Sequence, residues 1–120
     1  MMKKFLAIYL GSEAGLQRSG WATLDETQRR QREREGMEAW QQWVAANAAA
    51  IVDMGTPLGK TKRASADGLT DTRNALSAYT IVQAESHEAA ALLFERHPHF
   101  TIFPGDAVEI IECLPMPQSR

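Results

Sequence analysis

The first pattern in the chain is a compact apolar run from Phe5 to Leu10, closed by Gly11. Its length and its strand-favouring residues predict a β-strand. Alternation places Phe5, Ala7 and Tyr9 on one face and Leu6, Ile8 and Leu10 on the other, so both faces are apolar. Gly11, Ser12, Gly15, Ser19 and Gly20 mark the next segment as a loop, with Trp21 and Leu24 as its anchors. Asp25 or Thr23 is expected to cap a long helix, with Gln28 or Glu26 in capping-box positions. Met37, Trp40, Val44, Ala48 and Ile51 recur at three-or-four spacing, which predicts one buried stripe and a helix reaching about Ile51. Gly36 weakens that helix by ~1 kcal/mol relative to alanine, so a bend or break is expected there.

After Asp53 the helical periodicity disappears. Gly59 to Ser65 reads as a modest edge strand, and Ala66 to Asn74 contains the turn signal Asp67-Gly68. Ala78 to Ala84 is the next strand. Ser86 then caps a second helix, with Glu85 and Glu88 near its positive end and Ala89, Ala90, Leu93 and Phe94 on its buried face. Pro98 disfavours helical backbone in the residue before it, so this helix should stop near His97. Pro104-Gly105-Asp106 is a turn, Ala107 to Leu114 the last strand, and the tail 115–120 is expected to fray. The order is β-α-β-β-α-β, an α+β ferredoxin-like arrangement with a four-stranded antiparallel sheet. Right-handed crossovers put both helices on one sheet face. The other face stays bare and apolar, and a homodimer is the expected cover.

The 120 residues fit one domain, 1–120, long enough for a core without disulfides or metal. A net charge of −2 argues against nucleic acid as a partner. The lone Cys113 excludes an intrachain disulfide and any cysteine-rich zinc site. MMKK before FLAIYL imitates a signal peptide, but the apolar run falls short of the ~7–15 residues of such segments and no cleavage site follows. No stretch approaches the ~18 apolar residues of a membrane helix. The expectation is a cytoplasmic protein without a membrane partner.

Chemistry concentrates at His97-Pro98-His99, because imidazole can exchange a proton near neutral pH. Asp106 is close enough in sequence to orient one ring, so His97, His99 and Asp106 are the candidate catalytic residues. The alternative is that His97 caps the carbonyls of the preceding helix while His99 faces solvent. The spacing matches no standard zinc pattern, so no metal is expected. The segment DMGTPLGKT imitates a phosphate loop, but Gly55 comes one residue late and the strand–loop–helix context is inverted. A local anion contact by Lys60 and Arg63 remains, and Trp40 is a candidate ligand stacker, although helical tryptophans also serve as core. Arg29, Arg30, Arg32 and Arg34 alternate with Glu33 and Glu35, as a solvated helix face does. Cys113 alternates with apolar positions and is expected to be buried. No dinucleotide fingerprint or covalent attachment motif appears, so no cofactor is expected.

KKFLAIYLG, the Asp67-Gly68 loop, AYTIVQAESHEAAALL, HPHF and VEIIECLPMP, taken in order, resemble the YCII-related family, including its DGPF-domain branch. That resemblance implies a dimeric α+β barrel and places the HPHF corner beside the barrel mouth. Asp67-Gly68 is followed by Leu69-Thr70, half of the tetrapeptide that names the branch. No histidine precedes His87, so the family's N-terminal histidine–aspartate pair has no counterpart. The functional expectation is a small enzyme or enzyme-like protein acting on a small organic molecule through the histidine corner. The alternatives are a ligand-binding or regulatory module, and a dimeric accessory protein.

Overall fold

A computed structural model describes residues 1–117. The tail expected to fray, 115–120, therefore lies partly outside the described residues. Strand β1 (Lys3–Leu10) is followed by a short helix α1 (Glu13–Ser19), a 3-10 turn at Trp21–Thr23 and the long helix α2 (Glu26–Ala46). Strands β2 (Ile51–Asp53), β3 (Thr61–Ser65), β4 (Gly68–Thr72) and β5 (Leu76–Ala84) come next. Helices α3 (His87–Leu92) and α4 (Pro98–Thr101) and strand β6 (Ala107–Glu112) complete the order.

Four strands form one antiparallel sheet in the order β2-β5-β1-β6, the ferredoxin-like arrangement. The second strand of that sheet is Ile51–Asp53, whereas Gly59 to Ser65 was the expected one. Thr61–Ser65 instead pairs with Gly68–Thr72 in a separate two-stranded hairpin that is almost wholly exposed. Polar residues on both faces of this ribbon give it nothing to bury. Its turn is Ala66–Asp67, and Gly68 follows with φ 106, a conformation that suits glycine alone.

Phe5, Ala7 and Tyr9 on β1, Val82 and Ala84 on β5, and Ala90 and Phe94 form the buried core beneath the helices. The opposite face holds Leu6, Ile8, Leu10, Tyr79 and Ile81, all half-buried. The sheet is open, with β2 and β6 as its edges. The dimeric α/β barrel implied by the family resemblance is thereby corrected. Closure requires strand pairing all the way round, typically about eight strands, and four strands with two unpaired edges do not close.

Helix α2 begins at a complete capping box of Asp25 and Gln28. It passes through Gly36 without a break and ends at Asn47, earlier than expected. Gly36 is buried because the Phe103 ring lies against its backbone, where any Cβ would collide. The residue read as a helix weakness is thus a packing device. Ile51 leaves the helical stripe for β2, and Met37 is 56% exposed.

The second helix also differs from expectation. Regular α3 ends at Leu92, and tighter i→i+3 turns carry the chain to Arg96, which adopts φ 57. Pro98 then starts α4, since a proline at the first helical position loses no hydrogen bond. Cys113 is exposed, not buried, because β6 ends before it at the edge of the sheet.

Candidate functional site

The histidine corner is built by that helix start. His97 is the N-cap of α4, and its Nδ1 accepts the backbone N–H of His99 at 3.0 Å. It caps the following helix, not the preceding one. With Nδ1 accepting, the ring proton resides on Nε2, which is buried and has no hydrogen-bond partner. The ring is fully buried, with Trp40 and Trp43 edge-on at centroid distances of 4.5 and 4.6 Å. Burial, helped by repulsion from His99, pushes the His97 pKa down to about 3. His97 is therefore neutral at physiological pH and unsuited to proton exchange there.

His99 is different. Its Nε2 donates to the Leu10 carbonyl at 2.8 Å, so in the neutral ring Nδ1 carries a free lone pair. Nδ1 has no hydrogen-bond partner among the described residues and, unlike His97 Nε2, is not sealed from solvent. Burial lowers the pKa of His99, opposed by the Leu10 hydrogen bond and by the charge of Asp106. Gly105 lies against the Nε2 edge of the ring, where any side chain would collide, and its N–H donates to the His99 carbonyl at 2.9 Å.

A cavity of about 740 Å³ opens beside this ring. Its walls are Tyr9 on β1, Trp40 and Val44 on α2, Tyr79 on β5, and Phe103 with Gly105 after α4. The loop 54–57 forms the remaining side, and Met37 and Met54, both more than half exposed, stand at its mouth. Gly55 makes that loop possible. Its φ of 73 favours glycine, and a Cβ there would strike the Tyr79 carbonyl. Below the loop, Thr80 Oγ1 donates to the Met54 carbonyl at 3.0 Å, so the Tyr9 hydroxyl donates to Thr80 Oγ1 at 2.9 Å. Burial pushes the Tyr9 pKa up to about 12 despite the Thr80 hydrogen bond, and its phenol stays neutral.

Of the residues singled out from sequence, His99 and Trp40 line the cavity, while His97 packs behind Trp40. The Asp106 carboxylate pairs with Arg18 at 3.2 Å and bonds neither histidine. It borders a separate groove of about 400 Å³ between α3 and β6. Lys60 and Arg63 are exposed and line neither concavity. Sequence reading missed Phe103, Tyr79, Thr80 and the 54–57 loop. Gly55-Thr56-Pro57 was visible only as a break in periodicity, and nothing local ties it to β5. Among the described residues, no group of three or more His, Cys, Asp or Glu side chains is placed to hold a metal. No described helix is long and apolar enough to cross a membrane.

Fold and cavity together define a small α+β domain of ferredoxin-like strand order with one open, apolar-walled pocket beside a histidine. No family model matches the chain, and no curated protein matches it. Among solved structures it is similar to 5-chloro-2-hydroxyhydroquinone dehydrochlorinase (TftG) from Burkholderia phenoliruptrix AC1100, in complex with 2,5-dihydroxybenzoquinone. The TM-score is 0.49 and the identity 18%, over 89% of this chain and 89% of that chain. A likeness that distant says nothing about chemistry here. Assignment to the YCII-related family is corrected by the open sheet and the unmatched family models. The opening strand, the Asp67-Gly68 loop and the strand, capped helix, corner and strand that carried the resemblance are parts that a ferredoxin-like element order calls for, so they fix that order and not ancestry.

Proposed function

We propose that the protein binds a small organic molecule in the cavity between α2, the 54–57 loop and the 103–105 corner, with His99 as the group that fixes it. The observation carrying this reading is the conjunction of an apolar-walled cavity of about 740 Å³ with a histidine in its lining whose Nε2 is held by a backbone carbonyl, leaving Nδ1 unbonded among the described residues. Cavities of this size and lining are the usual form of small-molecule sites. Trp40 offers a ring face or its indole N–H, and His99 offers an acceptor.

A catalytic reading rests on one feature of the same ring. A neutral imidazole held in one tautomer by a backbone carbonyl can take a proton from a bound ligand. Its partner is a carbonyl and not a carboxylate, because Asp106 is engaged by Arg18. Burial disfavours an imidazolium there more than the Leu10 hydrogen bond and the charge of Asp106 favour it, so binding comes first and proton abstraction second. Lys60 and Arg63 are retained only as a separate surface contact for an anion. The reading includes a cytoplasmic homodimer, since a second copy would cover the half-buried face of Leu6, Ile8, Leu10, Tyr79 and Ile81.

Intrinsic tryptophan fluorescence during titration with phenol, cyclohexanone and benzamide tests the site. Saturable change in wild type, lost in Trp40→Phe, is expected. A flat response to all three overturns the reading.

A further inference from the structure

Resting on that binding reading, we propose that the cavity selects an uncharged, planar ring carrying one O–H or N–H donor, and rejects carboxylates and phosphates of the same size.

The inference follows from which polar groups of the lining are already committed. Ser77 Oγ donates to the Tyr9 carbonyl at 2.9 Å, Thr80 donates to Met54 and Tyr9 to Thr80. The Nε2–H of His99 is held by Leu10. Each of these hydroxyl and ring protons is spent inside the protein. The side-chain donors of the lining without a partner among the described residues are the indole N–H of Trp40, the amide of Gln41 and the hydroxyl of Thr56, and all three are neutral.

Charge points the same way. No Lys, Arg, Asp or Glu stands among the described residues of the lining. A carboxylate or phosphate entering would shed its hydration against aromatic and thioether walls and meet no cation, an unfavourable exchange. Presented to the unbonded Nδ1 of neutral His99, its negative oxygen would meet a lone pair and be repelled. An O–H or N–H, in contrast, finds in that lone pair a fixed acceptor.

Shape supplies the remaining term. Trp40 and Phe103 stand T-shaped at 6.1 Å, and Tyr9 lies 5.1 Å from Trp40, so the walls are flat rings set at angles. A planar ring meets such walls by stacking or edge contact at little conformational cost. A flexible chain of equal area would lose rotamer freedom on entry.

Isothermal titration of the whole protein with phenol, anisole and benzoate tests the proposal. Anisole keeps the ring and blocks the donor; benzoate keeps the ring and adds charge. Phenol should bind about tenfold more tightly than anisole, the worth of one ordinary hydrogen bond, and benzoate more weakly than either. His99→Phe should abolish the preference, bringing phenol and anisole to equal affinity. Should that variant fail to fold, the ¹⁵N shift of His99 Nδ1 in the wild type supplies the answer, since phenol should move it and anisole should not. Benzoate binding as well as phenol, or phenol and anisole binding equally, overturns the selectivity while leaving the cavity a binding site. Absence of binding by all three, with Trp40 fluorescence unmoved, overturns the underlying site as well.

Discussion

Acidification should destabilise this protein through His97, and the magnitude follows from its surroundings. The ring titrates near 6.5 in an unfolded chain and at about 3 in the folded one. Between those values the unfolded state binds a proton that the native state refuses, so stability is fully present above the upper value and falls as pH drops. The slope approaches ~1.4 kcal/mol per pH unit, and integration from pH 6 to pH 4 gives about 2.5 kcal/mol. His99 adds in the same direction, because its pKa is also lowered. Urea midpoints at fixed temperature measure the effect. With a urea dependence of ~1–3 kcal/mol per molar, the midpoint should fall by roughly 0.8–2.5 M. His97→Asn is the informative control, because asparagine can still cap α4 and has no titrating proton. The variant loses packing against Trp40 and Trp43 and will be less stable at pH 7, but its pH dependence should be shallower by about 1.4 kcal/mol per unit. Carboxylates common to both proteins cancel in the comparison. Parallel pH profiles for wild type and His97→Asn would refute the assignment of the acid-sensitive proton to this ring.

Arg96 holds a left-handed conformation that costs a side chain about 1 kcal/mol. Arg96→Gly should therefore raise thermal stability slightly, and a lower melting temperature would contradict the account. Gly36→Ala should destabilise by about 1–3 kcal/mol despite better helix propensity, since the new methyl displaces Phe103. Stabilisation in a thermal melt would show that the ring moves freely. Light scattering at micromolar concentration should return twice the chain mass if a second copy covers the open sheet face, and a single-chain mass removes the homodimer.

Sheet membership divided along physical lines. Strands that bury an apolar face, such as Phe5–Leu10 and Ala78–Ala84, announced themselves through composition. Ile51–Asp53 did not, because Ile51 continues the helical spacing of Trp40, Val44 and Ala48 and only a tertiary pairing with β5 makes the segment a strand. The exposed ribbon Thr61–Thr72 has no buried face to leave a periodic mark. At the site, Pro98 signalled a helix boundary, but a proline closes one helix and opens another with equal ease, and opening is what it does here. The two histidines were therefore found together while their roles were not. A separation of two residues puts His97 among indoles and His99 beside the cavity. Asp106 showed the limit of sequence proximity, for its carboxylate turns to Arg18, 88 residues away.

The central claim is that a neutral His99 presents an unprotonated Nδ1 to a ligand cavity. Long-range ¹H–¹⁵N spectra of histidine-labelled protein at pH 7, without and with phenol, test it most directly. The account predicts that His99 is neutral and protonated at Nε2, and that phenol shifts its Nδ1 resonance while that of His97 stays in place. A His99 proton on Nδ1, or a Nδ1 resonance unmoved at phenol saturation, would contradict it.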